Sequence, residues 1–232
     1  MGTDIHLGVE RLNNGKWEEV VDLFPNHEQI MGAYNNFRSE DPALREPALE
    51  VLNNMPTHRD YDLFAMLANV RNGVGFGGVK RGEPVTPLFA DRGRPENTCF
   101  ALHDGDHWLG GYHSFTWCTY NEAMAAPWTR AVVTHAVVDF DEWIRWQESD
   151  AVTPQMWSQG VAGGNTRIVD ESEAKKIRES GDSTDGVYVQ TYWEWRPLAD
   201  SSFRRWLLSP KFQETAKRFG GDNLRICMSF DS

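Results

Sequence analysis

The chain reads as an α+β fold: a mostly antiparallel sheet formed by N- and C-terminal strands, with a long helical and loop insertion between them. Three observations predict it. Strict apolar–polar alternation opens the chain in "TDIHLGVE" and returns in "GVYVQTYWEW" and "NLRICMSF", the period of a strand with one buried face. Between them the clearest pattern is helical, in "YDLFAMLANVRN". The strands do not alternate one for one with helices, which argues against a parallel α/β sheet. The 232 residues are read as one domain, with sheet strands at 3–23 and 186–231 and the insertion at 26–182.

The elements follow in order. Residues 3–12 and 17–23 form a hairpin turned by Asn14-Gly15, because both central positions of the tight turn need φ > 0. From His27 to Leu52 the period becomes helical, broken into short pieces by Pro42, Pro47 and Pro56. Asp60 caps the next helix, with Leu63, Phe64, Leu67 and Val70 on one face and Asp62, Asn69 and Arg71 opposite. The glycine run at 73–78 stops it, and residues 79–116 read mostly as loop.

Thr119 and Glu122 make a capping box for a short helix closed by Pro127. Residues 139–148 and 154–159 read as helical, and "ESEAKKIRES" as a solvated helix. Pro197 ends the strand of "GVYVQTYWEW"; Ser201 or Ser202 then caps a helix that Pro210 interrupts. Pairing of the first strand with the last would set Asp4 and His6 near Asp231.

Composition bounds the function. A content of 40% hydrophobic and 12% aromatic residues suffices for a real core and excludes a disordered chain. The net charge of −11 argues against duplex nucleic acid as a partner, since such binding needs a basic face that displaces counterions. A small anion gripped by a few arginines stays open. Cys99, Cys118 and Cys227 are odd in number and far apart, so neither a disulfide framework nor a thiolate zinc site is expected. With no leader and no apolar run of membrane-spanning length, the expected location is a reducing cytoplasm, with no membrane partner.

Two constellations carry potential chemistry. Asp4, His6 and Glu10 share one face of the first strand, and a carboxylate beside an imidazole suits metal ligation or acid/base work. Of the three, Glu10 lies near the turn and reads as solvated. His103, Asp104, Asp106, His107 and His113 crowd one loop without a fixed metal-binding spacing, and His113-Ser114 is the stronger part of it. No G-x-S-x-G elbow surrounds Ser114, so covalent serine chemistry is the weaker reading there. The glycine run follows a helix and lacks Gly-Lys-Ser/Thr, so it reads as a flexible hinge or a backbone cradle rather than a phosphate loop. Arg59 and Arg71 flank the central helix and could hold a phosphate, with Tyr61, Trp117 and Trp193 as stacking planes. Cys118 reads as core.

"TDIHLGVE", "RDYDLFAMLANVRNG", "HSFTW" and the terminal "SFD" together resemble a family of proteins from bacteriophages and prophage-bearing bacteria. The landmarks run from residue 3 to residue 231, and the acidic 139–182 region departs from the pattern. The resemblance implies a host-takeover, counter-defence or nucleotide-metabolism role in the host cytoplasm. The matching residues Asp4, His6, Tyr61, Asn69, Arg71, His113, Ser114 and Trp117 are polar or aromatic, as at a site.

The leading expectation is hydrolysis of a phosphoester in a small nucleotide, with a host immune signalling nucleotide as one substrate class. Asp4, His6 and His113 would act as acid/base groups or ligate a divalent metal, while Tyr61, Asn69, Arg71, Ser114 and Trp117 would bind the ligand. The alternatives are a nucleotide-sequestering protein without turnover and a protein-interaction module whose tryptophans mark a partner surface. The sequence sets no oligomeric state.

Overall fold

The computed structural model describes residues 3–25, 27–53, 56, 60–74, 83–99, 113–130, 132–158, 160–161, 163–195, 199 and 201–231. The fold is α+β. One sheet, in the order β2-β1-β7-β3, is antiparallel throughout and joins both chain ends. Its strands are β1 (Ile5–Asn13), β2 (Lys16–Glu19), β3 (His113–Thr119) and β7 (Leu224–Phe230). The β1–β2 turn has Asn14 at φ 48° and Gly15 at φ 79°, the left-handed pair that the Asn-Gly step supplies. The first strand does pair with the last: Ile5 faces Phe230, His6 faces Ser229 and Glu10 faces Arg225.

The inner face of this sheet buries Ile5, Val9, Leu224, Ile226, Met228 and Phe230. Against it pack α3 (Tyr61–Ala68), α7 (Ser202–Leu207) and α8 (Pro210–Phe219). Asp60 caps α3 by accepting from the Leu63 amide, and Ser201 and Ser209 cap α7 and α8 in the same way. Pro210 sits at the first turn of α8, where its missing N–H is harmless. Every side chain of α3 from Tyr61 to Leu67 is buried. Asp62, expected on a polar face, is instead inside, where its Oδ2 accepts from Thr134 Oγ1 at 2.6 Å. Full burial of each large apolar side chain is worth roughly 1.5–3 kcal/mol, so α3 is pinned from all sides.

A second sheet, in the order β4-β6-β5, was not legible in the sequence. It comprises β4 (Val132–Asp139), β5 (Arg167–Asp170) and β6 (Val187–Trp195), with β5 parallel to β6. The "GVYVQTYWEW" strand therefore belongs to this sheet rather than to the terminal one, and strands β3, β4 and β5 fall within the segment read as helix and loop. Its core of Val138, Val169, Val187 and Val189 is covered by Phe140 and Trp143 of α5 (Phe140–Gln147) and by Ala174 and Ile177 of α6 (Glu171–Ser180).

The remaining α-helices among the described residues are α1 (His27–Asn36), α2 (Pro42–Asn53) and α4 (Tyr120–Ala125). Pro47 lies inside α2 without ending it, and α4 begins with the expected capping box of Thr119 and Glu122. Residues 154–158 are not helical; Ser158 instead bridges Val137 of β4. Among the described residues, no helix is long and apolar enough to cross a membrane.

Candidate functional site

The face of the terminal sheet turned away from the main core carries His6 and Glu10 of β1 and Arg225, Cys227 and Ser229 of β7, since directly paired residues share a face. It divides into a closed middle and a polar end.

The middle is a buried ion pair. Glu10 is 0% and Arg225 3% exposed, and Arg225 Nε donates to Glu10 Oε2. Glu10 Oε1 also accepts from Thr98 Oγ1 and the Cys99 amide, both at 2.6 Å. Arg225 reaches Asn97 Oδ1 at 3.0 Å and lies 3.9 Å from the Trp17 ring centroid. The expectation of a solvated Glu10 is thus corrected: the strand parity holds, but segment 97–99 covers this face. Burial and the Glu10 carboxylate push the Cys99 thiol up to about 11, while burial first and Glu10 second raise Cys227 to about 12. Each partner here is satisfied by the others, which makes this a structural clamp.

Trp117 belongs to the same zone, opposite Cys227 on β3. The Arg92 guanidinium lies 4.5 Å from its ring centroid and that of Arg225 5.9 Å. Arg92 is itself gripped by Glu122, whose carboxyl this hydrogen bond holds down to about 2. Trp117 is therefore engaged within the fold as a cation–π partner and lies in the clamp zone rather than at the polar end.

At the polar end, Asp231 draws the first strand to the last. Its Oδ1 accepts from the Asp4 amide at 2.8 Å, its Oδ2 lies 3.1 Å from His6 Nε2, and its amide donates to the Asp4 carbonyl at 3.2 Å. A second chain of contacts ties in α3: the Thr3 amide donates to Tyr61 Oη at 3.2 Å, and Arg71 Nε donates to Thr3 Oγ1 at 3.1 Å. The Arg71 guanidinium lies 5.6 Å from the Tyr61 ring centroid. Arg71 adopts φ 55°, a left-handed conformation that costs a residue other than Gly or Asn roughly 1–2 kcal/mol, and Asn69 adopts φ 60°. For Asn69 the reason is local. It closes α3, its amide donating to Ala65 O, and its Oδ1 accepts from Asn72.

His113 and Ser114 stand at the same end, on the far side of β7. His113 pairs with Phe230, where Ile5 pairs from the other side, so β1 and β3 are separated here by two strand spacings, about 10 Å. His113 also shares the register position of the core residue Phe230, whereas His6 faces Ser229. The structure therefore brings Asp4 and His6 together through Asp231 and joins Tyr61 to Arg71 through Thr3. It does not close His113 onto the first pair as a three-ligand set. Among the described residues no group of three His, Cys, Asp or Glu side chains is placed to hold a metal ion. His113 Nδ1 instead lies 2.8 Å from Ser114 Oγ.

Ser229, paired with His6, has a fully buried Oγ without a hydrogen-bond partner among the described residues. His103, Asp104, Asp106, His107, Arg59 and residues 75–78 of the glycine run lie outside the described residues.

The residue that sequence reasoning gave no role is Asp231. Its signal was available in the alternation of "NLRICMSFD", which fixes the register against "TDIH". Comparison with protein-family models, curated proteins and solved structures finds no match to this chain.

Proposed function

We propose that the polar end of the terminal sheet binds a small phosphate-bearing nucleotide and hydrolyses a phosphoester bond in it by acid/base chemistry. The observation that carries this reading is the His6 Nε2–Asp231 Oδ2 contact of 3.1 Å, set against the Asp4 backbone. An imidazole is the side chain whose proton exchanges near neutral pH, and a carboxylate on one ring nitrogen fixes its tautomer. His6 and Asp231 are each somewhat over one-third exposed, so the pair is open to solvent and to a ligand.

Arg71 supports the anion side of the reading. Its Nε bond to Thr3 sets the plane of the guanidinium, and a planar fork matches the oxygens of a phosphate. Its left-handed backbone is strain of the sort that gathers at functional positions. Among the described residues no three His, Cys, Asp or Glu side chains are placed to hold a metal ion, and the chemistry is written on the side chains alone. The resemblance of the chain's motifs to phage proteins adds a host signalling nucleotide as one substrate class.

The test is incubation of the whole protein with a panel of mononucleotides, dinucleotides and cyclic oligonucleotides, with added divalent cation and with chelator. Product formation that falls in Asp4→Ala and His6→Ala supports hydrolysis. Tight binding with the intact nucleotide recovered supports sequestration instead. No binding and no product across the panel removes the nucleotide reading.

A further inference from the structure

We propose that Ser114 is a nucleophile activated by His113, attacking phosphorus to give a transient phosphoserine. The substrate class rests on the nucleotide reading above; the activated serine rests on geometry alone. Ser114 Oγ lies 2.8 Å from His113 Nδ1, the hydrogen-bond reach that a nucleophile and its base require. Short polar side chains in irregular backbone normally bond to nearby backbone groups, whereas this hydroxyl is matched to an imidazole nitrogen.

The backbone gives a second, independent reason. Ser114 has φ 53° and falls in the register shift between His113 and Thr116, where three positions of β3 span two of β7. A left-handed serine is strained by roughly 1–2 kcal/mol, and bulges next to active sites re-aim a side chain. The same combination of a strained turn and a presented hydroxyl defines serine nucleophiles on other folds. Ser114 is exposed and His113 half-buried, so the hydroxyl is reachable while its base is held. The sequence alone argued against this role because no glycine elbow surrounds Ser114. The bulge does the elbow's work here.

The step balances within the site. The Oγ proton passes to His113 Nδ1 as the Oγ–P bond forms and the bond from phosphorus to the leaving oxygen breaks. His6, held by Asp231, protonates the leaving oxygen. Water then attacks the phosphoserine, giving its proton to His6, and Ser114 leaves with the proton returned by His113 Nδ1.

The test is reaction of the folded protein with a fluorophosphonate probe, in which Oγ–P forms, P–F breaks and fluoride departs. Mass spectrometry of the peptides locates the adduct. The expected result is modification of Ser114, no adduct at this position in Ser114→Gly, and a rate lower by at least about 100-fold in His113→Asn, the contribution of a positioned base. Glycine accepts the left-handed backbone, so the first variant keeps the fold, and equal melting temperatures check both. An unmodified Ser114 in the wild type, or equal rates with and without His113, overturns the proposal. The probe carries no nucleotide: an adduct without turnover of the nucleotide panel removes the substrate reading and leaves the activated serine. Turnover without an adduct does the reverse.

Discussion

Replacing Glu10 by alanine tests the clamp beneath the candidate site. The substitution removes the acceptor for Arg225 Nε, Thr98 Oγ1, the Cys99 amide and Cys227 Sγ together. What stays behind is a guanidinium 3% exposed, held by Asn97 and the Trp17 ring. Breaking a buried ion pair from one side costs about 3–5 kcal/mol, because the remaining charge is uncompensated. For a chain of this size each kcal/mol moves the melting temperature by about 2–4 °C, so Glu10→Ala should melt about 6–20 °C lower. Urea unfolding followed by tryptophan fluorescence reads the free energy directly. The double variant Glu10→Leu/Arg225→Met should recover most of the loss, since paired apolar replacements of buried ions are often neutral. A Glu10→Ala protein within about 0.5 kcal/mol of wild type, as for a surface site, would refute the clamp.

Three further outcomes follow from the same geometry. Glu142 is buried on α5, and its hydrogen bonds from Arg145 first, then from the Gln155 and Met156 amides, hold its carboxyl down to about 2. A depressed carboxyl contributes stability that is present above its unfolded value near 4.5 and is lost as pH falls toward about 2. The stability gap between wild type and Glu142→Gln should therefore narrow between about pH 5 and pH 2 in urea titrations, and a constant gap counts against the assignment. Burial first and the Glu10 carboxylate second raise the Cys99 thiol from 9.0 to about 11, so at pH 8 iodoacetamide should alkylate it about a hundredfold more slowly than an ordinary thiol, as followed by peptide mass; an ordinary rate would contradict the packing of this segment against Glu10. Asn69→Gly should leave stability within about 0.5 kcal/mol, whereas Asn69→Ala should lose roughly 1–2 kcal/mol from the left-handed cap. Equal losses in chemical denaturation would show that the cap conformation is not what selects this residue.

The alternating strands at the two chain ends were legible because a period of two admits one burial pattern, and Ile5, Val9, Ile226 and Phe230 are buried as it requires. The caps at Asp60, Thr119 and Ser201 were legible for a similar reason, since each is a local hydrogen bond to a helix's first turn. Strand partnership was not. β6 alternates as cleanly as β7, yet pairs with β4 and β5, a choice made by long-range packing. β4, with Val132, Val133, Ala136, Val137 and Val138, lacks a polar alternation and so gave no strand signal.

The candidate site divides along the same line. Asp4 and His6 follow from parity, and their closeness to Asp231 follows once the terminal strands pair. The burial of Glu10 could not be read, because the covering residues 97–99 lie nearly ninety positions away. The engagement of Trp117 by Arg92 and the bulge that turns Ser114 toward His113 are likewise products of tertiary packing.

On the proposed reading, the His6–Asp231 pair performs acid/base chemistry on a phosphate-bearing nucleotide. Single-turnover conversion of the best nucleotide on the panel, measured by product separation in wild type, His6→Asn and Asp231→Asn, tests it most directly. The expected result is a fall of about 10²–10⁴ in the rate for His6→Asn, the share of a positioned acid or base, and a lesser fall for Asp231→Asn, with binding retained in both. Wild-type rates in both variants would contradict it.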